Sequence, residues 1–190
     1  PGTGADTNGT SPWKAHAGNI TKANFKAENG KKVTAPADCS FLFWGMHELV
    51  SIDFSGLDTS NATNMNCLLQ NCDGLESVNL TGFDTSNVTN MGSMFFNCPE
   101  LKFLDVSMFD TSKATSMTSM FMHCGDSSSS FNLDLSSFDT SNVTSMAGMF
   151  RSCGDTTLDL SSFDTSKVTT MNGMFMNLGA TTLDVSGFDT

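Results

Sequence analysis

Positive charge is scarce in this sequence. Its 190 residues include 9 Lys and Arg against 20 Asp and Glu, which gives a formal net charge of −11 at pH 7. A protein of that charge repels both the phosphate backbone of nucleic acids and the anionic face of a membrane. We therefore expect neither nucleic-acid binding nor direct membrane insertion.

Long apolar runs and a leader sequence are also missing. No apolar run reaches the ~18 residues that indicate a membrane-spanning helix. Residues Pro1 to Ser11 lack the basic start and apolar middle of a signal peptide. The chain ends at Asp189 and Thr190, the first two residues of another copy of the repeat described below. We therefore expect a fragment of a longer protein, with any anchor or sorting signal outside it.

Sequence signatures of catalysis and metal binding are absent as well. There is no G-x-S-x-G motif, and no C-x-x-C doublet is combined with a second doublet or a His pair. His16, His47 and His123 fall in three unrelated sequence environments. We expect a protein that is not an enzyme and that needs no cofactor or metal ion.

What the sequence has instead is a repeat. The triplet D-T-S recurs at Asp58, Asp84, Asp110, Asp139, Asp164 and Asp189, with periods of 26, 26, 29, 25 and 25 residues. Such periods are typical of solenoids, in which each copy buries its apolar face only by stacking on its neighbours. We expect one continuous body after a flexible lead-in (1–12), made of N-terminal capping coils (13–57) and a repeat region (58–190). The copies of the repeat are 58–83, 84–109, 110–138, 139–163 and 164–188.

Two apolar patterns appear when the copies are aligned. The first is a pair of apolar residues on either side of an Asp or Asn, as at Leu158 and Leu160. This alternation predicts a short strand that pairs in parallel with the same strand of the next copy. The second has apolar residues three and four positions apart, as at Val143, Met146 and Phe150, which is typical of one helix face. The sequence therefore predicts an α/β, leucine-rich-repeat-like solenoid with one short parallel strand and one short helix per coil.

Cysteines at one position of the repeat form a row, which we call the Cys row: Cys72, Cys98, Cys124 and Cys153. Other copies carry Met46 and Leu178 at this position, so the site accepts plain hydrophobic residues. We therefore expect buried free thiols rather than disulfides. Cys39 takes the place of a core Met, and Cys67 is predicted to lie on the helix, so neither belongs to an evident pair.

Two segments carry a family resemblance, DTSNVTNMGSMFFNC (84–98) and DTSNVTSMAGMFRSC (139–153), each followed by a strand such as LDLSSF. They resemble the BspA-like family of bacterial surface proteins, whose repeats are about 26 residues long. The resemblance covers residues 33–190, and the upstream segments 11–13 and 35–43 resemble the region before the repeats in such proteins from Gram-positive bacteria. It implies an extracellular location on the bacterial surface and adhesion to host or neighbouring-cell molecules, without fixing the ligand.

The outward side of the predicted strands is acidic. We call its carboxylates, which lie between the inward apolar pairs, the Asp row: Asp53, Asp105, Asp134, Asp159 and Asp184. Small hydroxyl residues follow four of them: Ser107, Ser136, Ser161 and Ser186. Duplication of one ancestral Asp explains such a row without any ligand. The alternative is a binding site for a positively charged partner or, as a weaker version, for Ca²⁺ bridging neighbouring carboxylates.

Three functional hypotheses follow from these patterns. The first is a monomeric adhesion module that binds a host extracellular protein or glycan, a basic partner included. The second is a ligand-free structural stalk that displays another domain. The third, an ice- or crystal-binding array, is suggested by Thr rows such as Thr140 with Thr165 and Thr144 with Thr169. These Thr are predicted at a turn and a helix start rather than on a flat sheet, which disfavours the third hypothesis.

Overall fold

The structure is a computed structural model, and it describes residues 11–125, 131–154 and 157–189. Residues 1–10 of the predicted lead-in (1–12) therefore lie outside the described residues. Within these ranges the one helical segment is a 3₁₀ helix, Lys14–His16, which is too short to cross a membrane. The strands are β1 (Lys22–Asn24), β2 (Val33–Thr34), β3 (Ser51–Asp53), β4 (Leu57–Asp58), β5 (Ser77–Asn79), β6 (Thr157–Asp159) and β7 (Thr182–Asp184).

These strands form small parallel sheets. One sheet has the order β1-β3-β5, while β2 pairs with β4 and β6 pairs with β7. The register sets Ile52 beside Val78 and Leu158 beside Leu183, so equivalent residues of successive copies are partners. The predicted parallel pairing is therefore confirmed where these strands occur.

The strand ladder is interrupted in the middle of the repeat. In copy 84–109 a single bridge joins Phe103 to Ser77, and the segment 132–134 of copy 110–138 is not a strand. The prediction of a strand in every coil is therefore wrong for these two copies. The interruption coincides with the longest period, because copy 110–138 is the one with 29 residues.

A second line of parallel pairing runs through the copies without a break. It consists of single bridges that join Asp38, Asn64, Asn90, Ser116, Ser145 and Thr170 in succession. Because this ladder continues across the 29-residue copy, it connects the copies that the strands leave unpaired.

The segments predicted as helices are series of tight turns. In copy 58–83 the N–H of Leu68 donates to the carbonyl oxygen of Met65 at 3.2 Å, three residues back rather than the four of an α-helix. Cys67, the third residue of that turn, has a φ of 59°, which a type II turn requires. Its own N–H donates to the carbonyl oxygen of Gly92 in the next copy at 2.9 Å. The predicted helix per coil is therefore wrong, and so is the placement of Cys67 on a helix.

Positive φ recurs at the position of Cys67 in every copy. Its equivalents are Phe41, Ser93, Ser119, Gly148 and Gly173. Because an α-helix needs negative φ throughout, this position alone excludes a helix in each copy. Some N–H groups of these turns instead donate to carbonyl oxygens of the same copy, and others donate to carbonyl oxygens of the next copy.

The apolar core runs along the whole repeat. Phe150 is fully buried and its ring stacks between those of Phe121 and Phe175, at centroid distances of 5.9 and 6.2 Å. The Cys row is buried, as predicted. Leu133 and Leu135 are buried although their segment is not a strand, so the inward side of the repeat is preserved there.

A row of buried Thr side chains joins successive copies: Thr59, Thr85, Thr111, Thr140 and Thr165. The Oγ1 of Thr59 donates to the carbonyl oxygen of Asp84 at 2.9 Å and accepts from the N–H of Asp84 at 2.7 Å. This row faces the neighbouring copy and not solvent, so it is not available to an external crystal surface. The exposed Thr144 row also bonds within the chain, because Thr144 Oγ1 donates to the carbonyl oxygen of Thr115 at 3.1 Å.

Candidate functional site

Each carboxylate of the Asp row accepts a hydrogen bond from the residue two positions later. Asp134 Oδ1 accepts from the N–H of Ser136 at 3.0 Å and from its hydroxyl at 2.7 Å. Both bonds recur at Asp105 with Ser107 and at Asp159 with Ser161, and the N–H bond recurs at Asp53 with Ser55 and at Asp184 with Ser186. These are Asx turns that follow the strands β3, β6 and β7 and the equivalent segments at Asp105 and Asp134. The predicted site serines therefore hold the carboxylates in place.

The Asx turns favour the ionised form of Asp134 and Asp159. Hydrogen bonds from the hydroxyl and N–H of Ser136 lower the pKa of Asp134 below its usual value. The same bonds from Ser161 lower the pKa of Asp159, while the nearby charge of Asp134 opposes this shift. Asp134 and Asp159 are thus close enough to repel each other, and both carry full negative charge at neutral pH.

Two members of the Asp row line one groove. A shallow groove of about 300 Å³ lies between copies 110–138 and 139–163, and its polar lining includes Asn132, Asp134, Ser136, Thr157, Asp159 and Ser161. In the described part of the chain, no backbone hydrogen bond joins segment 132–134 to β6, so the groove lies where the strand ladder is interrupted. Four predicted site residues meet here: Asp134, Ser136, Asp159 and Ser161. The other five do not line this groove: Asp53, Asp105, Ser107, Asp184 and Ser186.

The Asp row does not gather into a chelating cluster. Over the ranges that the structure describes, no group of three or more His, Cys, Asp or Glu side chains has a geometry suited to a metal ion. Ca²⁺ takes six to eight oxygen ligands, and each copy contributes at most one carboxylate to this row, because copy 58–83 has Asn79 at this position. The row therefore presents separate anionic groups.

Two exposed apolar residues near the Asp row were missed by the sequence analysis. Phe103 is 66% exposed and Met108 is 41% exposed. Leu104 and Val106 are buried, so side-chain alternation places Phe103 on the same outer side as Asp105. The alignment of the copies could have identified both residues, because the equivalent positions in other copies are small or polar. Where copy 84–109 has Phe103, other copies have Ser51, Ser77, Asn132, Thr157 and Thr182, and where it has Met108 they have Gly56, Gly82, Ser137, Ser162 and Gly187.

A second groove lies at the N-terminal end of the described chain. It has a volume of about 800 Å³ and is lined by Asn24, Phe25, Lys26, Glu28, Asn29, Lys31, Lys32 and Val33. Lys32 Nζ donates to the carbonyl oxygen of Gly82 at 3.4 Å. Hydrogen bonds from Ser60 and, to a smaller extent, the charge of Lys32 lower the pKa of Asp58. Part of the positive charge of this groove, that of Lys32, therefore interacts with groups of the neighbouring copy 58–83.

Comparison with known proteins gives one family. Residues 37–126 and 105–190 both match the model of a family described as "Mycoplasma protein of unknown function, DUF285". No curated protein and no solved structure matches the chain. The two matches overlap and together extend over residues 37–190, which includes every copy of the D-T-S repeat and the strands of the Asp row from Asp53 onward. The chain therefore belongs to the DUF285 family.

Proposed function

We propose that this chain is a BspA-like, leucine-rich-repeat-like solenoid module of a bacterial surface protein, and that it mediates adhesion to a host or neighbouring-cell molecule. It acts outside the cell as a monomeric, non-catalytic binding module. The DUF285 match over residues 37–190 and the parallel register between equivalent residues of successive copies support this proposal.

The observation that carries the proposal is the groove at Asp134 and Asp159. It combines two ionised carboxylates with the amide of Asn132 and the hydroxyl of Thr157. Fixed carboxylates attract positively charged groups and accept hydrogen bonds from sugar hydroxyls, while the amide and the hydroxyl also donate. A basic segment of an extracellular protein or a glycan fits this chemistry.

A ligand-free stalk is the second candidate. It is favoured by the Asx turns, because the bonds from Ser136 and Ser161 give Asp134 and Asp159 a local structural role. A residue that ends a strand segment recurs in every copy whether or not a ligand binds to it. The two candidates therefore make different predictions for binding. Only an adhesion module binds a target and loses that binding when the charge of the Asp row is removed but its turns are kept.

The decisive variant replaces Asp105, Asp134, Asp159 and Asp184 by Asn. Asn keeps the Oδ1 acceptor of each turn and removes four negative charges, so we expect the fold to survive. Binding of the wild-type chain to glycan and extracellular-protein arrays identifies the target, and the variant is then tested on it. We expect adhesion to fall, and wild-type binding to weaken with salt because the Debye length drops from ~10 Å at 0.1 M to ~3 Å at 1 M.

A charge-matched control is available on the same chain. Asp58, Asp84, Asp110 and Asp139 also accept bonds from residues two positions later, in the turns that begin the copies. Replacing these four by Asn removes the same charge from a different row and should leave most of the binding intact. Equal binding by both variants and the wild type would place the binding site outside the Asp row, whereas a wild-type chain that binds no target on the arrays would favour the stalk.

A further inference from the structure

We propose that Phe103 and Asp105 form a recognition site for an arginine or lysine side chain of a basic protein partner. The cationic group lies over the ring of Phe103 and pairs with the carboxylate of Asp105. This inference rests on the proposed adhesive function, and it names the partner as a basic polypeptide segment rather than a neutral glycan.

The exposure of Phe103 has no structural explanation within the repeat. Phe95 of the same copy is fully buried and stacks on Phe121, whereas Phe103 is 66% exposed. Equivalent positions carry small polar residues such as Ser77 and Thr157, so the copies do not need an aromatic ring there. Exposed large apolar side chains mark interaction sites, and Met108, three residues after Asp105, is a second exposed apolar side chain in the same copy.

The spacing of the two residues suits one cationic group. Residues two apart in an extended segment are separated by ~6.6 Å and point to the same side. A cation is attracted to an aromatic face within ~6 Å of the ring centroid, and a guanidinium bonds a carboxylate at about 2.8 Å. A single arginine can therefore contact both groups. The adjacent Lys102 does not fill this role, because its Nζ is bonded to Glu76 Oε2 at 2.7 Å.

Charge complementarity decides the class of partner. Hydrogen bonds from the hydroxyl and N–H of Ser107 lower the pKa of Asp105, so its carboxylate is charged at neutral pH. The charge of Asp134 is close enough to oppose that shift, which places a second carboxylate near the site. An aromatic ring near two carboxylates favours a cation over a neutral sugar.

The test uses the whole 190-residue chain and two synthetic peptides. One peptide contains arginine residues separated by serine, and the other has each arginine replaced by citrulline, which is nearly the same shape but uncharged. Affinities are measured by titration calorimetry or by fluorescence anisotropy. We expect the chain to bind the arginine peptide and to bind the citrulline peptide much more weakly.

Variants taken from the repeat itself provide the controls. Phe103→Ser introduces the residue found at Ser77, and Asp105→Asn introduces the residue found at Asn79, so both should fold as the wild type does. From the strength of exposed cation–π contacts, Phe103→Ser should lower affinity for the arginine peptide about 2- to 5-fold. In the double variant the effects should not multiply, because both residues contact the same cation. Met176→Ser, at an exposed residue of the last described copy, should change nothing.

Several results would overturn the proposal. They are wild-type affinity in Phe103→Ser, equal losses for the two peptides, independent effects of the two substitutions, or no binding of the arginine peptide by the wild type. Binding of a neutral oligosaccharide in place of the arginine peptide would also overturn it. The proposed adhesive function would still stand if binding to the target found on the arrays depended on Asp134 and Asp159. Failure of the Phe103 site is therefore distinguishable from failure of the proposed function.

Discussion

The side chain of Thr140 bonds both backbone groups of Asp164 in the next copy. Its Oγ1 donates to the carbonyl oxygen at 2.9 Å and accepts from the N–H at 2.8 Å. Because Thr140 is buried, water cannot readily replace these bonds. One hydroxyl thus fixes the start of the next copy, and the equivalent Thr does so in several other copies.

Thr140→Val should therefore destabilise the protein. Valine has nearly the same shape but leaves the partly buried N–H and carbonyl oxygen of Asp164 without this partner, which costs about 1–3 kcal/mol. Thr140→Ser, which keeps the hydroxyl, should recover much of the loss. Urea unfolding followed by circular dichroism measures both changes.

Thr144→Val is the matched control for this experiment. Thr144 is exposed, and its backbone N–H already donates to the same carbonyl oxygen of Thr115 that its hydroxyl contacts. We expect a change within about 0.5 kcal/mol. Equal effects of the two valine substitutions would contradict a special role for the buried row.

The strands were predictable from the sequence. The turns were predicted to be helices, and this error has a physical reason. Leu158 and Leu160 alternate with exposed residues, a pattern that fits a strand and not a helix. The three- and four-residue spacing of the other apolar set fits both a helix and a series of turns. Gly148 and Gly173 distinguish the two, because glycine disfavours a helix interior but readily takes the positive φ observed at both residues.

The candidate site was predictable in position but not in detail. The outward Asp residues follow from strand alternation alone. Their bonds to Ser136 and Ser161 follow from the known preference of Asp for Asx turns, which the sequence analysis did not apply to the Asp row. The groove at Asp134 and Asp159 was not predictable, because it depends on where the strand ladder is interrupted.

Phe150→Ala tests the continuity of the core. The substitution removes a fully buried ring that stacks on Phe121 and Phe175, so we expect a loss of about 3–5 kcal/mol. Phe96→Ala, at a half-buried ring that touches His123 edge to face, should cost less. Hydrogen exchange should show the largest loss of protection in the copies on either side of Phe150, because stacked copies communicate through their neighbours. A uniform loss over all copies would contradict this.

The thiols of the Cys row should resist modification in the folded protein. Burial raises the pKa of Cys98 and Cys124 well above the ordinary value and that of Cys72 to about 12. The reactive thiolate is therefore scarce at pH 8, and the sulfur atoms are also shielded from reagents. Cys67 is 7% exposed and burial raises its pKa only to about 11, so it should be labelled before Cys98 and Cys124.

Labelling with a thiol reagent, with and without denaturant, measures this order by mass spectrometry. All six cysteines lie in the described part of the chain and none forms a disulfide there, so unfolding should expose six reactive thiols. Rapid labelling of Cys98 before Cys67, or a bond between Cys98 and Cys124, would contradict the prediction.

Acid should destabilise the protein through the Asx turns that begin the copies. Bonds from Ser112, Ser141 and Ser166 lower the pKa of Asp110, Asp139 and Asp164, respectively, in the folded state. A lowered folded pKa stabilises the protein above the unfolded value of 3.8, and this contribution is lost as the pH falls through the folded value. We therefore expect these carboxylates to contribute little change between pH 5 and 7 and a loss of stability below about pH 4.

The triple variant with Asn at positions 110, 139 and 164 separates this effect from general acid unfolding. Asn keeps the acceptor oxygen of each turn and does not titrate, so the fall in stability below pH 4 should become shallower. At pH 7 the variant should be slightly less stable than the wild type, because the pKa values are lowered despite the repulsion of Asp139 by Asp110 and Asp164, so the folded state favours the charged carboxylates. Glu100→Gln, at an exposed residue, controls for the loss of a surface charge. If urea midpoints from pH 2 to pH 7 give the same slope for the triple variant and the wild type, these turns do not govern the acid stability of the repeat.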